Sequence, residues 1–211
     1  MEVTAFFGGS FDPPHRGHLG VARGALNSGM CSRVVWVPAW SQPHKQGKKT
    51  AAFQHRLKMV ELLISEEEQM CASDLEQRLA LQPSYTFEVL EYFTQELPPQ
   101  TLPALLIGGD SLLALHTWYK AEELAEKVLI LTYPRPGVEI SAETLLPHWG
   151  EKMTEKLLSG VMNGEFFEIS STGIRNSMEN FQKAGNINSE AECMTDCRIR
   201  DYCRRHGLYG G

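Results

Sequence analysis

Short, continuous apolar runs alternate along this chain with stretches in which apolar residues recur every three to four positions. The runs "VTAFFG" (3–8), "RVVWVPA" (33–39), "PALLIGGD" (103–110) and "KVLILTYP" (127–134) have the Val/Ile/Leu-rich make-up of strands covered on both faces. Helical spacing is predicted over 16–28, 51–64, 86–97, 111–126 and 142–159. "MCASDLEQR" (70–78) reads as a weaker extended piece and "EFFEIS" (165–170) as a last short strand. Two further helices are expected over 172–182 and 195–205, separated by the polar, irregular "KAGNINSEAEC" (183–193). This alternation predicts an α/β fold with a doubly wound parallel sheet, helices on both faces and a C-terminal helical segment from about 172 to 211. No internal repeat is visible, and a single domain over 1–211 is expected.

In open sheets of this kind, ligands bind beyond the carboxyl ends of the strands. The chemically unusual stretches all fall there: "GGSFDPPHRGH" (8–18), "PAWSQPHK" (38–45), "GGD" (108–110), "YPRPG" (133–137) and "ISSTGIR" (169–175). In the first, Gly8 and Gly9 let the backbone approach a ligand, and Pro13 and Pro14 stiffen the turn. His15 and His18, three apart at the start of the following helix, would lie on one face. Free amides and the helix dipole favour phosphate there, and two imidazoles can add hydrogen bonds to its oxygens. The glycine-lysine-hydroxyl ending of a P-loop is missing, and so is the GxGxxG turn of an NAD-using oxidoreductase. In "ISSTGIR", the hydroxyls of Ser170, Ser171 and Thr172 can cap a helix, and Arg175 lies one turn in, where its forked donors would reach the same anion.

Composition narrows the classes of partner. The 211 residues are 42% hydrophobic and 22% charged, which excludes disorder and a coiled coil. A net charge of −6 speaks against a general nucleic-acid binder while leaving room for a local basic pocket. No apolar run reaches the length of a membrane span, and no secretory leader is recognisable. Five cysteines, an odd number without paired knuckle spacing, suit a reducing, cytoplasmic setting better than a disulfide framework or a zinc site.

The first loop resembles the "GxFxPxHxGH" signature of the nucleotidyltransferase superfamily, with the HxGH motif at His15-Arg16-Gly17-His18. That superfamily's second signature, "ISSTxIR", stands intact at Ile169 to Arg175. The rest of the chain is similar to bacterial nicotinate-mononucleotide adenylyltransferases over nearly its full length. The resemblance implies a Rossmann-like fold and adenylyl transfer from ATP to nicotinate mononucleotide, giving deamido-NAD and pyrophosphate. It implies that His15, His18 and Arg175 are catalytic, and that ATP meets Gly8, Gly9, Ser10, Phe11, His15, His18, Gly108, Asp110, Ile169, Ser170, Ser171, Thr172 and Arg175. The mononucleotide would meet Lys45 (after His44), Tyr85 and Thr86 of a Ser84-Tyr85-Thr86 turn, Asp110, Trp118 stacked on the pyridine, and Arg135. Mg²⁺ held mainly by ATP phosphates is the implied cofactor. The chain departs from the family in "MTDCRIRDYCRRHGLYGG", whose ending matches at 206–209 while the approach to it does not. Transfer to another phosphate acceptor, such as nicotinamide mononucleotide or phosphopantetheine, and a nucleotide-binding module without turnover are the alternatives, and a homo-oligomer is left open.

Overall fold

The computed structural model describes residues 2–40, 50–163, 170–184 and 195–210, with side chains to 179 in the third segment. Five strands, β1 (Glu2–Gly9), β2 (Arg33–Pro38), β3 (Met70–Ala72), β4 (Thr101–Gly108) and β5 (Leu129–Tyr133), form one parallel sheet in the order β3-β2-β1-β4-β5. The helices are α1 (Arg16–Asn27), α2 (Phe53–Leu63), α3 (Leu75–Leu79), α4 (Thr86–Glu96), α5 (Gly109–Ala114), α6 (Ala121–Lys127), α7 (Ala142–Ser159), α8 (Ser171–Ala184) and α9 (Cys197–Arg205). The chain builds outward from β1 through β2 to β3, then returns to place β4 on the other side of β1. The connections therefore diverge between β1 and β4, the crevice where such folds bind ligands.

Strand alternation divides the apolar residues between two layers. Phe7, Val34, Trp36, Ala104, Leu106 and Leu131 face a core closed by α1, α2 and α9. Their neighbours Phe6, Val35, Val37, Leu105, Ile107 and Ile130 face a second core closed by α3 to α7. Burial on both faces explains why these strands read as unbroken apolar runs.

Several boundaries differ from the periodicity, each for a local reason. The extended piece expected over 70–78 ends at Ala72, and Leu75–Leu79 turns into a helix that buries Leu75 in the second core. The helix expected over 111–126 begins at Gly109 and breaks into α5, a 3₁₀ turn over Leu115–Thr117 and α6, with Lys120 in the left-handed region (φ 53°). Asp110 is thus in the first turn of a helix, two residues beyond the end of the strand that was expected to contain it. Helix α7 is interrupted at Gly150, whose φ of 67° favours glycine. The expected strand 165–170 lies outside the described residues apart from Ser170. Just before it, Val161 makes a parallel bridge to Thr132 on the outer side of β5. Among the described residues no helix is long and apolar enough to cross a membrane.

That bridge depends on a close approach. A Cβ on Gly160 would lie 1.9 Å from the Ile130 carbonyl oxygen, backbone that no side-chain rotation can move aside. Gly160→Ala is expected to cost about 1–3 kcal/mol or more, the range of overpacking in a filled site. A urea titration would register it as a lower midpoint at unchanged slope, and an unchanged midpoint would refute the close approach.

Candidate active site

The loop after β1 is held from beneath by two buried side chains, Asp12 (0% exposed) and Arg56 (3%). Arg56 donates to three backbone carbonyls, those of Ser10 (2.8 Å), Ala39 (2.6 Å) and Ala51 (3.1 Å). One guanidinium so ties the β1 loop to the β2 loop and the start of α2. Asp12 Oδ1 accepts from the Ala51 amide at 3.0 Å and from the Tyr209 hydroxyl. Buried polar groups persist where they are paired, and here the pairs are loop backbone.

On this base the histidines meet. His15 is the N-cap of α1 and His18 its third residue, and each ring accepts the other's backbone N–H: His15 N to His18 Nδ1 at 3.3 Å, His18 N to His15 Nδ1 at 3.4 Å. The rings lie 3.7 Å apart, centroid to centroid. Because both Nδ1 atoms accept, a neutral ring carries its proton on Nε2, so each imidazole keeps one N–H donor outside the cap. Burial lowers the His15 pKa to about 4, with the Arg135 charge adding to it. Burial, then His15 and Arg135, hold His18 well below the usual imidazole range. At neutral pH the site therefore presents two uncharged donors of fixed tautomer.

The second loop packs on the first. Ser170 Oγ accepts from the Gly173 amide (3.1 Å) and caps α8, and Ser171 Oγ donates to the Pro13 carbonyl (3.0 Å). Arg175 donates through Nη1 to the Asp12 carbonyl (2.5 Å) and through Nη2 to Thr172 Oγ1 (3.0 Å), with Nη1 3.7 Å from Asp12 Oδ2. A cavity of about 1320 Å³ opens above, with His15, His18, Tyr133, Arg135, Ser171 and Thr172 among the residues that line it. Arg135 donates to the Tyr133 hydroxyl (2.8 Å), and its Nε lies 3.4 Å from Asp110 Oδ1.

The structure thus brings His15, His18, Ser171, Thr172 and Arg135 to one cavity. Arg175 sits behind Thr172, turned toward Asp12, and Asp110 reaches the cavity only through Arg135. The expected Phe11 contact needs correction. Its ring is 1% exposed and packs in the first core against Phe7 and Trp36, which leaves only its backbone for a ligand. Gly8 and Gly9 likewise make room for rings: an added Cβ would strike Phe6 at 2.8 Å and Phe11 at 2.9 Å. Ser10 contributes its carbonyl to Arg56. Gly108 is the N-cap of α5, where a Cβ would lie 2.6 Å from Asp110 Oδ1. Ser84 is bound to Glu76 (3.1 Å), and Tyr85, the N-cap residue before Thr86, stacks on Tyr119 at 4.4 Å. That stack joins the Ser-Tyr-Thr turn to the segment of Trp118, itself half-buried against the second core and outside the cavity wall. His44, Lys45 and Ile169 lie outside the described residues.

Sequence reading missed Asp12, Arg56 and Tyr209 as parts of the site. Arg56 carried a signal, a charged residue on the stripe Phe53, Met59, Val60 and Leu63 that α2 buries. Asp12 stood inside the loop already singled out, and Tyr209 in the matching "HGLY" ending.

Comparison with known proteins gives this arrangement a family. Residues 6–177 match the cytidylyltransferase-like family model, which spans both signatures. The chain belongs to that family. A probable nicotinate-nucleotide adenylyltransferase from Symbiobacterium thermophilum is 39% identical over 74% of this chain and 75% of its own length. One of the same description from a Synechococcus strain is 35% identical, covering 96% and 92%. The family fold is also seen in Plasmodium falciparum nicotinic acid mononucleotide adenylyltransferase complexed with NaAD, at a TM-score of 0.74 and 20% identity over 99% and 98% of the two chains.

The histidine environment makes stability depend on pH. Unfolded, His15 takes up its proton near its ordinary value of 6.5, but folded only near 4. Between these values the unfolded chain binds more protons, so stability falls as pH drops from about 6.5 to about 4, by roughly 3 kcal/mol in total for this group. In His15→Asn, which keeps a capping side chain but does not titrate, urea midpoints should fall less steeply over that interval. An identical slope would contradict the neutral, buried imidazole.

Proposed function

We propose that this protein is a nicotinate-nucleotide adenylyltransferase, transferring the adenylyl group of ATP to nicotinate mononucleotide to form deamido-NAD and pyrophosphate, a step of NAD biosynthesis. The observation that carries the reading is the convergence of the two signature loops on one cavity, joined by the Ser171–Pro13 bond, with neutral imidazole donors from one and the Thr172 hydroxyl from the other. Full-length relatives of that description support the choice of acceptor.

A phosphate oxygen of the mononucleotide attacks the α-phosphorus of ATP as the bond to the β-phosphate oxygen breaks, and pyrophosphate leaves with its electrons. The attacking oxygen is already ionised at neutral pH, so a general base is not needed. The protein's task is to align the two phosphates and stabilise the charge growing on the oxygens. His15 and His18 donate Nε2–H bonds to the α- and β-phosphates, and His18 makes the contact that strengthens in the transition state. Thr172, Arg175 and Lys45 hold the departing β- and γ-phosphates. Asp110 takes ribose hydroxyls, Trp118 stacks on the pyridine and Tyr85 and Thr86 support its carboxylate, while Arg135 offers charge to an anionic group.

The donors of the cavity suit phosphate oxygens: imidazole N–H groups, hydroxyls and an arginine. At its base the buried carboxylate of Asp12 has Oδ1 occupied by the Ala51 amide and the Tyr209 hydroxyl. Among the described residues no cluster of three His, Cys, Asp or Glu could hold a metal ion. Mg²⁺ would come with ATP, held mainly by its phosphates, and when bound would offset charge on the triphosphate. The setting is the cytoplasm, in keeping with Cys31, Cys71, Cys197 and Cys203, all free thiols.

Pyrophosphate release measured side by side with nicotinate mononucleotide, nicotinamide mononucleotide and phosphopantetheine tests the reading, and fastest turnover is expected with the first. Preference for another acceptor would replace the substrate, and no release with any of the three would replace the function. His18→Ala should lower kcat about 10²-fold, the scale of losing one oxyanion-type donor, with little change in KM for the mononucleotide. Activity within a few-fold of wild type would remove His18 from its role. Trp118→Ala should raise KM for the mononucleotide and leave KM for ATP nearly unchanged, and equal effects on both would reassign Trp118 to packing.

A further inference from the structure

The C-terminal end of the described chain reaches the site. After α9 the backbone turns through Gly207 (φ 62°), Tyr209 (φ 55°) and Gly210 (φ 90°), all in the left-handed region. A tyrosine adopts that conformation only at a cost in strain, and here the turn delivers its hydroxyl to Asp12 Oδ1. The ring packs against the first core, so its position is fixed by more than the hydrogen bond.

Asp12 has a second oxygen in a different condition. Oδ2 is buried and, among the described residues, has no hydrogen-bond partner; the cation nearest to it in an ion pair is Arg175, at 3.7 Å. Arg175 already donates to the carbonyl of the same residue and to Thr172, whose neighbour Ser171 shares the cavity wall. One carboxylate thus stands between the tail and the arginine of the second signature. A buried carboxylate draws on whatever donors it can reach, and each one supplied elsewhere weakens its hold on the rest.

We propose that Tyr209 is a positioning residue for the polyphosphate site: its hydroxyl, by satisfying Asp12, limits the carboxylate's hold on Arg175 and leaves the guanidinium available to phosphate. This rests on the reading of Arg175 as a phosphate ligand given above. Without the hydroxyl, Asp12 draws Arg175 toward Oδ2 and away from the cavity.

Calorimetric titration of the full chain with inorganic pyrophosphate tests this without turnover. Tyr209→Phe keeps the ring and removes the donor, and should weaken pyrophosphate binding about tenfold, the scale of one hydrogen bond to a charged group. In an Arg175→Ala background the same change should alter binding less than about twofold, because the residue it acts through is gone. KM for nicotinate mononucleotide should stay within about twofold in Tyr209→Phe, a split that a general loosening of the tail would not produce. Wild-type affinity in Tyr209→Phe, an equal loss in both backgrounds, or a wild-type protein that does not bind pyrophosphate would each overturn the proposal. Pyrophosphate binding with the expected coupling, but no dinucleotide product, would instead overturn the assigned reaction and leave this inference standing.

Discussion

Two charged side chains with almost no solvent contact, Asp12 and Arg56, hold the catalytic end of the sheet together. Neither reaches the cavity; both act on backbone. Arg56 gathers three carbonyls from three segments, and Asp12 gathers an amide, a hydroxyl and the carbonyl-bound arginine of α8. Burying charges is unfavourable unless each is compensated, so the same energetics that make these residues costly alone make the assembled loops cooperative. Losing one partner leaves the other uncompensated, which is why the β1 loop, the β2 loop and the two C-terminal helices stand as one unit around the site.

This foundation fixes the geometry and protonation of the histidines. The mutual cap fixes both rings against the start of α1 and commits both Nδ1 atoms as acceptors. Burial and the nearby Arg135 then keep the rings neutral. A protonated pair would draw phosphate more strongly, but in ground state and transition state alike. Neutral donors of fixed direction can be aimed where charge develops, which is the arrangement that raises rate rather than affinity alone. Positive charge comes instead from arginines set apart from the rings, and Arg135 acts on the two imidazoles while paired with Asp110.

The same logic accounts for what surrounds the cavity. The left-handed tail turn, the close contact of Gly160 with Ile130 and the broken helix after β4 are local departures from regular structure, and each sets the position of a segment beside the sheet's carboxyl edge. The tail at 206–209 lies at the end of the described chain, after α9. Its tyrosine sits on Asp12 because the turn carries the hydroxyl back to the β1 loop.

The sequence determined the architecture and the edge of the sheet at which the candidate site lies. Unbroken apolar runs separated by helical spacing require a parallel sheet covered on both faces, and such a sheet sends its unusual loops to one edge. His15, His18, Ser171 and Thr172 could be named there from short-range pattern and topology, and Arg135 from the family resemblance of its turn. Tertiary structure alone decided which of the other candidates serve packing. Phe11 fills the core against Trp36 of the next strand, since the volume around a buried side chain is set by segments distant in the chain, and Gly8 and Gly9 make space for the rings of Phe6 and Phe11. It also decided that Arg175 turns to Asp12 and that Arg56 and Tyr209 belong to the site, because the partners of a buried charge lie up to 197 residues apart and no local spacing encodes them.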